Sequence, residues 1–125
     1  VFKTAKGVFV APDPIEEQVL KNTLVSQVCV AGLGLPQPIA LINLHTEPGD
    51  RAAIQSALTQ HLTEVNRSLS SHEKLAALVI CAETWNEHNR MLTPTLKTRR
   101  AVIDARYGMH YQKWHDQAEP VIWEN

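Results

Sequence analysis

Val25-Ser26-Gln27-Val28-Cys29-Val30-Ala31 and Ile39-Ala40-Leu41-Ile42-Asn43-Leu44-His45 are two strand-length apolar runs, separated by Gly32-Leu33-Gly34-Leu35-Pro36-Gln37-Pro38. Val28-Cys29-Val30 and Ala40-Leu41-Ile42 do not alternate with polar residues, so each predicts a strand covered on both faces. A third run of the same kind, Leu78-Val79-Ile80-Cys81, follows the strongest helical pattern in the chain. In that pattern Ile54, Leu58, Leu62, Val65 and Leu69 recur at steps of four and three, with Arg51, Gln55, Thr59 and Asn66 on the outer side. Glu47-Pro48-Gly49-Asp50 breaks the chain before this helix and Ser70-Ser71-His72 ends it. Strand, helix, strand in that order predicts a crossover connection.

Outward from this centre, Val1-Phe2-Lys3 and Val8-Phe9-Val10 are short β-prone pieces, and Lys6-Gly7 supplies a turn between them. Two strands alone make a marginal sheet, so this hairpin must lean on something else. Ala11-Pro12-Asp13-Pro14-Ile15-Glu16 reads as a helix start, with Asp13 at the cap, Pro14 in the first position and Glu16 closing a capping box. Asn86-Glu87-His88-Asn89-Arg90 is a polar loop. A helix is expected from about Thr98, carrying the stripe Ile103, Tyr107, Tyr111 and Trp114, with Gly108 placed to divide it and Glu119-Pro120 ending it. The fold class expected is α+β: an N-terminal hairpin plus a sheet of about three main strands flanked by helices.

The chain has 125 residues, 44% of them hydrophobic and 20% charged, which places residues 1–125 together as a single globular domain. Twelve basic and thirteen acidic side chains give a net charge of -1, against a dedicated nucleic-acid binder. No apolar run has the length of a membrane helix, so the chain is read as not transmembrane. Cys29 and Cys81 lie within apolar strands and read as buried structural thiols, which suits a reducing, cytoplasmic setting. The first residue is Val1, nothing resembles a signal peptide, and the start is expected to be a cut edge.

Gly32-Leu33-Gly34 lacks a third glycine and a following Lys-Ser/Thr, so it is an ordinary loop rather than a phosphate cradle. Six histidines (His45, His61, His72, His88, His110 and His115) lack ligand spacing, and no metal site is expected. Asn66-Arg67-Ser68 fits a glycosylation sequon but falls within a predicted helix. Lys97, Arg99, Arg100 and Arg106 form a basic cluster around a predicted helix start. That cluster is either a solvated helix end or a phosphate-directed cation on a loop. Residue by residue, the reading ends at this fold class and one candidate anion-binding lysine.

Two segments extend it. Phe2-Lys3-Thr4-Ala5-Lys6-Gly7-Val8-Phe9-Val10-Ala11-Pro12-Asp13-Pro14-Ile15-Glu16 resembles the opening of the C-terminal domain of adenylate-forming enzymes, in its long-chain acyl-CoA synthetase variant. Leu92-Thr93-Pro94-Thr95-Leu96-Lys97-Thr98-Arg99-Arg100 resembles the closing motif of that variant. The resemblance implies a mobile lid of an AMP-forming acyl-CoA synthetase. Its partner would be a large N-terminal adenylation domain, absent from this chain, which holds the acyl pocket and leads into a hinge residue before Val1. The lid would alternate between a pose that forms acyl-adenylate and one that forms the thioester. The substrates of the complete enzyme would be a carboxylic acid, ATP with Mg2+, and coenzyme A or a carrier-protein thiol. None of them is expected to bind tightly to this domain alone, and the fragment is expected to be inactive. By the same resemblance Lys97 matches the adenylation lysine, and Gly7 matches the glycine at the pantetheine passage. Lys3, Arg99 and Arg100 take supporting roles, either at the helix start or toward the nucleotide of coenzyme A, while Glu16 is expected to cap its helix. The complete enzyme is expected to be cytoplasmic or peripheral at a membrane. A rival from another class is a stand-alone interaction module presenting Tyr111, Trp114 and Trp123. A third reading is a small nucleic-acid binder using Lys97, Arg99, Arg100 and Arg106.

Overall fold

The computed structural model describes residues 1–45 and 49–125, so Glu47 and Pro48 of the expected break lie outside the described residues. Strands β1 (Phe2–Lys3) and β2 (Phe9–Val10) form an antiparallel hairpin. Helix α1 (Pro12–Val19) leads to β3 (Val25–Ala31) and β4 (Ile39–Leu44), which pair antiparallel. Helix α2 (Arg51–Arg67) then crosses to β5 (Leu78–Ile80), which lies parallel to β4. An irregular segment leads to α3 (Arg100–Tyr107), a 3-10 turn at Gly108–His110 and α4 (Tyr111–Asp116). The last strand, β6 (Val121–Trp123), pairs parallel with β5, so the sheet order is β3-β4-β5-β6.

The unbroken apolar strands behave as expected because the sheet has helices on both faces. Val28, Val30, Ala40, Ile42, Leu78 and Ile80 face one core, closed by Ile15 and Val19 of α1 and by Leu58, Leu62 and Val65 of α2. Cys29, Ala31, Leu41 and Val79 face the other, closed by Ile103, Tyr107, Tyr111 and Trp114 of α3 and α4. Asp50 caps α2 by accepting from the Ala53 N–H at 3.2 Å.

Four local expectations are corrected. The main sheet has four strands rather than three, because Val121–Trp123 adds an edge strand after the Glu119-Pro120 break. Helix α1 starts at Pro12, two residues earlier than the Asp13 cap implied, and no side chain caps it. A proline already carries a helix-compatible φ and has no N–H to satisfy, so Pro12 opens the helix unaided. Helix α3 starts at Arg100 rather than near Thr98. Asn66, expected on the outer side of α2, turns both amide atoms to Leu75: Nδ2 donates to its carbonyl at 2.9 Å and Oδ1 accepts from its N–H at 2.8 Å. That amide fixes the path from α2 into β5.

The hairpin finds its support in the Gly32–Pro38 loop. Gly34 N–H donates to the Lys3 carbonyl at 3.2 Å, and Ala5 N–H donates to the Leu35 carbonyl at 2.8 Å. Gly32 stands at φ +146°, and a Cβ there would come within 2.9 Å of Pro38 Cα. Only glycine lets the chain fold back this closely before β4.

Candidate functional site

The segment between β5 and α3 is irregular but heavily braced. Asn43, buried at the end of β4, accepts from the Trp85 N–H at 2.8 Å and donates to the Glu83 carbonyl at 3.1 Å. Trp85 is buried, and its Nε1–H donates to the Tyr107 hydroxyl at 3.1 Å. Asn86 and Asn89 exchange hydrogen bonds, each side-chain oxygen accepting from the other's backbone N–H at 2.9–3.0 Å. Asn89 also donates to the Thr84 carbonyl and accepts from the Met91 N–H. Met91 and Leu92 then enter the core beside Trp85.

From that anchor the chain makes a closed turn. Leu92 pairs with Thr98, Thr93 N–H donates to the Lys97 carbonyl at 2.8 Å, and Leu96 N–H donates to the Thr93 carbonyl at 2.8 Å. The Thr93 hydroxyl accepts from the Lys97 N–H at 3.1 Å. Leu96 takes the left-handed conformation, φ +64°, that reverses the chain. The outcome is a fixed backbone under an exposed Lys97, whose ammonium forms no ion pair among the described residues. Such a cation can meet an incoming anion without first breaking an internal bond.

The rest of the basic cluster divides. Arg100 is spent inside the domain: its guanidinium donates to the Val30 carbonyl, contacts Cys29 Sγ at 3.3 Å and pairs with Glu16 at 3.1 Å. The same Glu16 carboxylate oxygen accepts from the Val30 N–H at 2.8 Å. Glu16 therefore bridges α1, β3 and α3 instead of capping its helix, and the Arg100 guanidinium ties the start of α3 to that bridge. This bridge joins the opening segment to the closing one. Arg99 is exposed, with its N–H donating to the Met91 carbonyl at 2.8 Å. Arg106 lies 3.5 Å from Glu83 in an exposed pair and stacks against Tyr107.

Gly7 sits at the exposed tip of the hairpin with φ +79°, and its N–H donates to the Thr4 carbonyl at 3.0 Å. An added Cβ would meet nothing within 4 Å, so the glycine answers to the turn dihedral and leaves its backbone open from outside. Lys3 is exposed beside it, its Nζ 5.4 Å from the centre of the Phe9 ring. Lys97 and Gly7 thus occupy separate exposed turns on separate supports.

The remaining candidates are internal. Cys29 and Cys81 are buried; burial pushes the Cys29 thiol up to about 12, against the lowering pull of Arg100, and pushes Cys81 up as well. His61 Nε2 donates to the Val19 carbonyl at 3.0 Å and His115 Nδ1 meets Asp116 at 3.1 Å. Tyr111 and Trp114 are buried, and Trp123 is half-buried under the Arg51 guanidinium at 4.3 Å. Among the described residues, Tyr111, Trp114 and Trp123 therefore do not form the exposed aromatic patch that the interaction module would need. Surface cavities of about 430 and 400 Å³ open elsewhere, between α1 and α2 and beside Trp123, and neither is lined by Lys97 or Gly7.

A protein-family model described as the AMP-binding enzyme C-terminal domain matches residues 2–118, which takes in both turns and the bridge between them. The chain belongs to that family. It is 27% identical over 139 residues to long-chain-fatty-acid–CoA ligase 5 of Rattus norvegicus, covering 95% of this chain and 20% of the relative. It is 30% identical over 128 residues to a carboxylic acid reductase of Segniliparus rugosus, covering 94% of this chain and 10% of the relative. A solved structure of the A-PCP didomain of that reductase, in complex with AMP, superposes with a TM-score of 0.77 at 29% identity, over 94% of this chain and 17% of that one. The chain thus spans between a tenth and a fifth of the length of these proteins, and its fold is that of an AMP-binding C-terminal domain.

Within this domain Lys97 and Gly7 remain candidates on exposed turns, and the side chains that brace the Lys97 segment carry no role in the sequence pattern. The signal for Asn43 was present, since it is the one polar residue inside Ile39–Leu44. The Asn86–Asn89 spacing was a second signal, three residues apart in a polar loop.

Proposed function

We propose that this domain is the mobile lid of an AMP-forming ligase that joins a carboxylic acid to a thiol, with Lys97 as the cation of the adenylating step. The observation that carries this reading is the exposed, ion-pair-free Lys97 ammonium on a turn held by backbone and Thr93 hydrogen bonds. The family and the named activities of the relatives, fatty-acid–CoA ligases among them, support the substrate class.

In the first step a carboxylate oxygen attacks the α-phosphorus of ATP and pyrophosphate leaves with the electrons of the broken P–O bond. Negative charge grows on the phosphoryl oxygens while an anionic nucleophile approaches, and a compact ammonium brought to that point lowers the barrier. ATP, as its Mg2+ complex, and the acid belong to the large domain, which this lid would complete. In the second step the thiol sulfur attacks the acyl carbonyl and AMP departs. There the lid presents its hairpin, and Gly7 leaves room for the thiol's arm along the backbone. Arg99 and Lys3 are exposed and can reach toward the phosphates of coenzyme A. Arg100 instead holds α3 to α1 and β3. Alone, half of the site is missing, so the fragment turns over no ATP.

The test is Lys97→Ala in the full-length enzyme. Carboxylate-dependent pyrophosphate release falls by about a hundredfold or more, the usual loss when a charge-stabilising contact is removed. Thioester formation from preformed acyl-adenylate is retained. Unchanged pyrophosphate release would refute the role of Lys97.

A further inference from the structure

Leu96 carries two costs at once. Its side chain is 59% exposed, and its backbone stands at φ +64°, where leucine is disfavoured and glycine or asparagine is at ease. Of the exposed large hydrophobics among the described residues (Val1, Phe9, Leu20, Leu33, Leu96 and Met109), Leu96 alone combines exposure with a left-handed backbone. The turn's hydrogen bonds hold this backbone, and among the described residues none of them uses the leucine side chain. The turn closes through the Thr93 carbonyl and hydroxyl and the Lys97 N–H and carbonyl, none of which needs an apolar side chain at position 96. Strain of this kind persists where the side chain serves something outside the fold.

Resting on the reading of Lys97 above, we propose that Leu96 is a positioning residue that docks into an apolar seat on the large adenylation domain and so sets Lys97 at the reacting phosphate. The occupant is that domain, for two reasons. The chain covers only 10–20% of its relatives' length, so most of each relative is chain of another kind, against which this domain can pack. And Leu96, exposed like Lys97, immediately precedes it within one hydrogen-bonded turn, so a surface that meets the ammonium lies within reach of the leucine. An ammonium on a flexible stem is placed poorly by its own charge, whereas an apolar peg beside it fixes distance and direction. The seat is used only in the adenylating pose, since the other pose turns the hairpin toward the site.

The experiment compares Leu96→Asn and Leu96→Met with the parent in the full-length enzyme. Asparagine relieves the backbone and removes the peg; methionine keeps an apolar peg of similar volume. For Leu96→Asn the kcat of pyrophosphate release falls about thirtyfold, the loss expected when a leucine no longer finds its seat. The KM for the carboxylic acid stays within about twofold, because that substrate is held by the large domain. Thioester formation from preformed adenylate is unchanged, the urea midpoint is not lowered, and Leu96→Met stays within about threefold of the parent in adenylation. Adenylation by Leu96→Asn at the parent rate overturns the proposal, as does an equal loss in both half-reactions or a loss in Leu96→Met as large as in Leu96→Asn. Unchanged kinetics with a change in oligomeric state would assign Leu96 to contact with a second copy, and overturn it too. Lys97→Ala in the same assay separates the failures: if it is inactive while Leu96→Asn is normal, docking by Leu96 falls and the function of Lys97 stands.

Discussion

The hairpin with its supporting loop and the segment from Cys81 to Arg99 are the two irregular regions that carry the candidate groups, and they differ in which side chains hydrogen-bond to hold them. The hairpin's hydrogen bonds to its support are backbone only, Gly34 N–H crossing to the Lys3 carbonyl and Ala5 N–H crossing back to the Leu35 carbonyl; glycines at 7, 32 and 34 supply positive φ, and Val10 and Phe2 pack into the core below. The Lys97 segment adds to its own backbone bonds side chains brought from far away, Asn43 from β4 and Tyr107 from α3, together with its own asparagines. A backbone-held turn yields little when a side chain changes but cannot tolerate an added Cβ at a crowded glycine. A side-chain-held segment tolerates local substitution and fails when a distant amide is lost. For a lid that would deliver a cation, the second arrangement couples Lys97 to the sheet itself.

The most damaging way to break this comparison is at Asn43. Asn43→Ala leaves the buried Trp85 N–H and the Glu83 carbonyl without their partner, at a cost of about 3 kcal/mol, because an orphaned buried polar group keeps its full desolvation penalty. Urea unfolding measures it, and in the full-length enzyme the adenylating step suffers more than the thioester step, since the loosened segment is the one that ends in Lys97. A loss below about 1 kcal/mol would mean that the segment is held by Trp85 packing and not by the amide.

The hairpin counterpart is Gly32→Ala. The added Cβ meets Pro38 Cα at 2.9 Å, and the backbone stands at φ +146°, so something must move. About 2 kcal/mol is expected, read from the same denaturation curves, with the loss falling on thioester formation because Leu35 and Gly34 carry the hairpin. Equal damage to both half-reactions would show that the loop braces the whole sheet rather than the hairpin.

These two regions also mark what could be read from the chain. The doubly covered strands were legible because Val28–Val30 and Ala40–Ile42 contain no polar alternation, and the division of the last helix was legible from Gly108. Gly7 became a candidate only through the resemblance of its segment, and Lys97, already one candidate cation in a basic cluster, took its expected role from the same source. The bracing of Lys97 was hidden because its partners lie about forty and twenty residues away, Asn43 to Trp85 and Trp85 to Tyr107, and no local pattern reports such pairs. Glu16 was misread for the same reason: three residues after Asp13 it fits a capping box, yet its carboxylate is drawn to Arg100 across the domain. Strand β6 was missed because three residues after a proline carry too little pattern. The left-handed turn at Leu96 has no sequence signal, since leucine is among the residues least expected there.

The smallest effect on folding, and the sharpest test of the comparison, comes from Gly7→Leu. Gly7 has φ +79° like a turn glycine, but unlike Gly32 it faces open space, so leucine there costs only the backbone, about 1 kcal/mol. A purely structural glycine would therefore leave both half-reactions near the parent rate. If Gly7 lines the passage for the thiol's arm, the new side chain stands in that passage, and thioester formation from preformed adenylate falls about tenfold or more while pyrophosphate release persists. Lys97→Ala does the reverse. A hairpin that folds nearly as well yet no longer passes the thiol would show that its backbone is held open for a ligand, whereas both half-reactions near the parent rate would return Gly7 to the role of a turn residue.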